Sequence, residues 1–183
     1  SEMESHNVVL QQLKRLNEAG IKTLVMPGNH DINGPAYAYK GNQKISVPKM
    51  TDSEWDAFYA PIHTSITAQD NLSHSYVAEP LPGLTILSID GSHGTAGTGS
   101  LSDATLAWLL AQADSANQKG NTIIAMCHWQ LLEHVDKSAM ASSSTRLENA
   151  DAIRDSLMAH DVHVVLTGHM HINGMTTYRD TTG

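Results

Sequence analysis

Apolar residues recur along this chain with two alternating periods, which predict helices and strands in turn. Over residues 3–19, Val9, Leu13 and Leu16 fall at i, i+4 and i+7, a helical stripe that Gly20 ends. A short apolar run at 21–26 then reads as a strand. Residues 33–50, rich in Gly, Pro, Tyr and Lys and without periodicity, read as a long loop. Thr51 with Glu54 forms a capping-box pattern that opens a short helix through Trp55 and Phe58, and Pro61 stops it. Residues 73–79 and 84–90 look like two strands separated by a Pro/Gly turn. A helix at 102–118 sets Leu106, Leu109, Leu110 and Ala113 on one face, closes at Gly120 and leads into a strand at 121–127. The signal repeats with Thr145 and Glu148 as a cap, Ala150, Ile153 and Leu157 as a buried stripe, and a strand at 162–167.

Helix then strand, three times over, predicts an α/β fold with parallel strands joined by crossover helices. The carboxyl ends of such strands line one edge of the sheet, where sites are built. The 183 residues, 40% hydrophobic, are enough for one domain over 1–183 with a substantial core. A formal charge of -8 without any basic run argues against a general nucleic-acid or acidic-lipid surface. A phosphate-bearing substrate then calls for a metal to offset repulsion. The single cysteine, Cys127, excludes an internal disulfide framework. No stretch approaches the roughly 18 apolar residues of a membrane span, and no signal-peptide pattern is present.

Three histidine-bearing segments change this picture. GNHD at Gly28 to Asp31, His128 within CHWQ, and GHMH at Gly168 to His171 each follow one of the apolar runs directly. Neutral imidazole nitrogen and amide oxygen both donate to a borderline divalent ion without adding charge. Gly28 lets the backbone turn sharply and points Asn29 and His30 toward the edge crevice. The two histidines of GHMH share a face if extended, and reach two neighbouring ions if the segment turns. Taken singly, each has a plainer reading: turn chemistry for Asn29, a loop hydrogen bond for His30, a satisfied strand-end histidine for His128, and exposure for His169 and His171. Their joint placement at one sheet edge favours a metal site. The Gly-rich run at 91–100 lacks the lysine and spacing of a phosphate-binding P-loop and reads as a loop.

With MPGNHD, a lone histidine and TGHMH in this order, the sequence resembles the calcineurin-like metallophosphoesterases. Their ordered signature is DxH, GDxxD, GNH followed by Asp or Glu, a lone His, then GHxH. HDIN, SYVAEP, LLEH and TGHMHI look like a bacterial branch often exported or anchored at the surface, which implies a parent protein outside the cytoplasm. The resemblance implies a four-layer αββα sandwich, incomplete at the amino end, and hydrolysis of a phosphodiester or small phosphomonoester by metal-activated hydroxide. It implies two divalent ions (Mn, Zn or Fe), with Asn29, His128 and His169 holding the second and His171 the first. His30 would be the catalytic, non-ligand histidine at the phosphoryl oxygens or leaving group, and Asp31 would orient a ligand without touching metal.

The DxH and GDxxD blocks are missing, and the opening SEMESH looks like residues that follow GDxxD. The chain is therefore expected to be a fragment that binds at most one ion weakly and is inactive alone. The competing expectation is a non-catalytic scaffold that keeps the fold and has lost turnover. Relatives in this branch commonly carry a histidine pair followed by Gly or Pro, whereas here Cys127 precedes His128 and Trp129 follows it. Asp90 and His93 at another strand end, Glu133 and His134 beyond His128, and Tyr37, Tyr39 and Lys40 in the long loop are further candidates to border the site. Turn, loop and packing roles are their simpler accounts. Trp55, Phe58 and Trp108 are expected in the core, as are Met126 and Leu166.

Overall fold

Two apolar runs in the second half of the chain, each preceded by a helix, add in parallel to a strand at 84–89. The computed structural model describes residues 2–92, 99–133 and 146–179. In chain order the elements are α1 (Met3–Glu18), β1 (Tyr37–Lys40), β2 (Gln43–Ser46), α2 (Asp52–Tyr59), β3 (Ile66–Gln69), β4 (Tyr76–Leu81), β5 (Leu84–Ile89), α3 (Asp103–Gln118), β6 (Thr122–Cys127), α4 (Ala150–Ala159) and β7 (Val165–Thr167). A five-stranded sheet runs in the order β3-β4-β5-β6-β7, and β1 and β2 form a separate antiparallel hairpin. The β3/β4 and β4/β5 pairs are antiparallel, whereas β5/β6 and β6/β7 are parallel. The α/β class expected from periodicity is the class observed.

Alternation along β6 decides which way its residues face. Ile123, Ala125 and Cys127 are buried, while Ile124 and Met126 are half-buried on the opposite face. The buried set joins Leu87, Ile89, Leu109, Ala113, Ile153 and Leu157 in the main core, between the sheet and helices α3 and α4. A second core lies under α1 and α2, built on Leu10, Ile32, Met50, Trp55, Tyr59 and Ile62. Trp55 is therefore core, while Phe58 and Trp108 are half-buried against the two cores.

Several sequence expectations are corrected. The run at 21–26 forms no strand; its neighbours satisfy its backbone through side chains instead. Asn17 Oδ1 accepts from Thr23 N–H, His63 Nε2 from Val25 N–H, and the Tyr76 hydroxyl donates to the Val25 carbonyl at 2.9 Å. Helix α1 buries His6 and Leu10 with Leu13 half-buried, whereas Val9 and Leu16 are exposed. A stripe of His6, Leu10 and Leu13 is as periodic as the expected one, but it runs through a polar residue. Residues 37–46 are a hairpin, turned at Gly41 with φ 62°. Leu166 is 60% exposed, because β7 is an edge strand and the described residues lay no helix over that face. Asn149, the N-cap of helix α4, sits in the left-handed region and makes no side-chain cap, while Thr145 of the expected capping box lies outside the described residues. The capping box of α2 forms as expected, Thr51 with Glu54.

Candidate metal centre

Parallel pairing of β6 with β7 delivers the first two side chains of the site. The last register pair is Cys127 with Thr167, and the ladder continues one step as Gly168 N–H donates to the His128 carbonyl at 3.1 Å. His128 and His169 therefore emerge side by side at the carboxyl ends of neighbouring strands. The third segment arrives along the extended residues 21–28, which the Tyr76 hydroxyl holds at Val25.

Here three side chains converge. His128 Nε2 lies 2.9 Å from Asn29 Oδ1, across 99 residues of sequence, and 3.2 Å from His169 Nδ1. The two imidazole rings stand 5.1 Å apart at 75°. Asn29 is only 6% exposed, so its amide is committed to this cluster. Burial, then repulsion from His169, push the His128 pKa down to about 4, with His30 and His171 acting in the same sense and Asp31 opposing them. His128 is a neutral donor at physiological pH.

Glycine is required at Gly28 by crowding and not by a left-handed turn. A Cβ there would stand 2.8 Å from His128 Cε1 and 2.9 Å from its Nδ1, closer than such atoms approach. The backbone turn is held by Asp31, whose Oδ2 accepts from Gly28 N–H at 2.7 Å while Asp31 N–H donates to the Gly28 carbonyl. His6 supports the same turn from below. Its Nε2 donates to the Asp31 carbonyl at 3.1 Å, which leaves Nδ1 to accept from the Tyr59 hydroxyl at 2.7 Å. Burial lowers the His6 pKa, consistent with that neutral form.

The GHMH segment turns. His169 has φ 68° and His171 φ 55°, both in the left-handed region that costs a non-glycine residue about 1 kcal/mol. Met170 N–H folds back on the Gly168 carbonyl at 2.8 Å, and the buried Met170 side chain anchors the turn. His169 is thereby aimed at His128. His171 and His30 are exposed, and both lie near enough to His128 to oppose its protonation.

The donor set fits a metal. Bonds of about 2.1 Å place neighbouring donors about 3.0 Å apart at right angles and about 3.4 Å apart at tetrahedral angles, and the spacings found here are of that size. None of the three is a carboxylate or thiolate, so the set brings no negative charge to an ion. Among the described residues no group of three His, Cys, Asp or Glu side chains stands ready to hold a metal, so an ion bound here would rest on two histidines and an amide.

The remaining candidates are placed elsewhere. Asp90 is buried and structural, accepting from Ser92 N–H at 2.9 Å and His74 N–H at 3.2 Å. Tyr37 and Tyr39 are exposed on the hairpin, Tyr37 beneath Lys44 Nζ at 3.7 Å. Glu133 is exposed, and His93 and His134 lie outside the described residues. Cys127 is buried, which pushes its thiol up to about 12 and leaves it unreactive. Sequence reasoning missed His6 and Trp129 as parts of the site; a histidine at i−4 from Leu10, on the face that becomes buried, was the available signal for the first.

Comparison with known families gives one match: the model for the calcineurin-like phosphoesterases covers residues 3–173. No curated protein matches the chain.

Proposed function

Because the chain belongs to the calcineurin-like phosphoesterase family, we propose that it serves as a metal-dependent hydrolase of phosphate esters, acting on a phosphodiester or small phosphomonoester. The observation that supports this reading is the convergence of Asn29 Oδ1, His128 Nε2 and His169 Nδ1 from three distant segments. These residues are assigned to one divalent ion, and exposed His171 to a second. Mn, Zn or Fe suits such donors.

Asn29, His128 and His169 would hold the ion, which would supply Lewis-acid chemistry at a phosphoryl oxygen. The chain's own residues prepare for it. His128 stays neutral and keeps a lone pair available, Asp31 fixes the turn that presents Asn29, and His30 at the exposed tip of that turn is assigned to the phosphoryl or leaving-group oxygen. Neutral donors alone leave the charge of an ion uncompensated. Efficient turnover therefore calls for the carboxylates that the DxH and GDxxD blocks supply in relatives.

A second reading, a non-catalytic scaffold, is favoured by the lack of any cluster of three His, Cys, Asp or Glu among the described residues. Hydrolysis of a chromogenic phosphodiester and a phosphomonoester with added Mn separates the two. The chain is compared with a version extended by DxH and GDxxD blocks ahead of Ser1. Turnover in the extended version that disappears in His128→Ala supports the hydrolase; silence in both, with phosphate binding retained, supports the scaffold. Equal rates in both would show the blocks to be dispensable.

A further inference from the structure

The indole of Trp129 touches all three donor-bearing segments, directly or through one hydroxyl. Trp129 continues the buried face of β6 set by Ala125 and Cys127, and is 1% exposed. Its ring centre lies 4.2 Å from that of His169, tilted by 40°, and 5.7 Å from that of His128, nearly perpendicular. Its Nε1–H donates to Ser92 Oγ at 3.2 Å, and Ser92 Oγ reaches the Pro27 carbonyl, two residues ahead of Asn29, at 3.5 Å. A Cβ on Gly99 would stand 2.3 Å from Trp129 Cδ1, so a side chain is absent there to admit the ring.

We propose that Trp129 is a positioning residue for the metal donors, holding the His169 imidazole against His128 and tying that pair to the Asn29 turn through Ser92. The proposal rests on the reading of these side chains as ligands. Its physical basis is the strain at His169. A residue held in the left-handed region has looser alternatives, and a donor is useful only if its ring stays aimed. A rigid aromatic face behind the imidazole removes those alternatives without contributing a ligand. The hydrogen bond to Ser92 stops the indole itself from sliding. Outer partners of this kind typically govern metal affinity by about tenfold or more.

The test measures two properties in Trp129→Phe, Trp129→Leu and Ser92→Ala. The first is the ring-nitrogen and ring-proton NMR spectrum of His169 in the metal-free protein; the second is zinc affinity by titration. Wild type is expected to show one sharp His169 tautomer with ring protons shifted upfield by the indole. Trp129→Phe keeps an aromatic face and retains sharp signals. Trp129→Leu broadens them and weakens zinc about tenfold. Ser92→Ala leaves core volume almost unchanged, and it moves both readouts in the same direction by less; it decides the matter if the leucine variant does not fold. Unchanged His169 signals in the leucine variant, or in Ser92→Ala where leucine fails to fold, overturn the proposal. If wild type binds no zinc, the ligand reading fails separately, and the metal-free spectra still decide whether Trp129 positions His169.

Discussion

His74 Nδ1 lies 2.9 Å from the Asp56 carboxylate, fastening the loop ahead of β4 to helix α2. Its other ring nitrogen meets Asp52 one turn earlier at 3.1 Å, and its backbone N–H donates to Asp90 at the end of β5. Asp90 in turn orders Ser92, the residue that carries Trp129. Asp52, Asp56, His74 and Asp90 line a cavity of about 490 Å³ beside α2, and the chain of contacts links the second core to the edge where the histidines gather.

The protonation of His74 makes stability depend on pH. Burial opposes its charge, but the Asp56 hydrogen bond and attraction, with Asp90 and Asp52 adding, prevail and push the pKa up to about 9 from the ordinary 6.5. A pKa raised on folding stabilises fully below the unfolded value and loses that contribution as pH climbs through the folded one. The contribution is on the order of 2 kcal/mol after allowance for screening at the exposed Asp52 and Asp56 side chains. Urea unfolding should therefore show wild type losing stability between about pH 6.5 and pH 9.5, while His74→Gln shows little of that slope. Identical pH dependence in both proteins would mean that His74 is not the group responsible.

His6 should be more important to the protein than its place on a surface helix suggests. Replacement by Phe preserves ring volume against Trp55, Phe58 and Tyr59 but leaves the Tyr59 hydroxyl and the Asp31 carbonyl without this partner. Each lost buried partner costs about 1–3 kcal/mol. The expected result is a lower urea midpoint together with weaker metal binding, because the Asp31 carbonyl belongs to the turn that presents Asn29. A variant matching wild type in both measurements would show the two hydrogen bonds to be incidental.

Much of this arrangement was legible in the chain itself. The strand ends carrying His128 and His169 followed from apolar runs placed after helical stripes, and parallel pairing was enough to bring the two together. The run at 21–26 shows where that logic fails. Apolar composition specifies burial, yet a strand also needs a neighbouring ladder, and here the side chains of Asn17, His63 and Tyr76 satisfy the backbone. The turn at Gly28 is legible in the sequence and is present, but its crowding by a ring 100 positions later leaves no local trace. Trp129 was hidden for a related cause: alternation assigns it to the core, and only three-dimensional packing shows that the core face of this ring supports a histidine of the site.

The lack of an anionic donor should limit metal binding by this chain. Asn29, His128 and His169 supply no negative charge, and His171 stands exposed without joining their hydrogen-bonded cluster. Calorimetric titration with Zn or Mn is expected to give a single weak site that His128→Ala abolishes. Two tight sites would contradict the ligand assignment, because no grouping of three His, Cys, Asp or Glu among the described residues accounts for them.

Gly28→Ala tests the geometry of the centre most directly. The added Cβ meets His128 Cε1 at 2.8 Å, His128 Nδ1 at 2.9 Å and Asp31 Oδ2 at 3.1 Å, so the methyl group forces the ring away from Asn29 or opens the turn. Overpacking of this kind costs about 1–3 kcal/mol of stability. Misaimed donors should also weaken zinc about tenfold or more. Gly168→Ala is the matched control, since its Cβ approaches His128 Nδ1 only to 3.4 Å and a shift of a few tenths of an ångström relieves it. Zinc titration and urea unfolding of the two variants should rank Gly28→Ala well below Gly168→Ala. If Gly28→Ala binds zinc as wild type does and a crystal structure keeps His128 against Asn29, the close approach of ring and backbone is not what holds the donors in place.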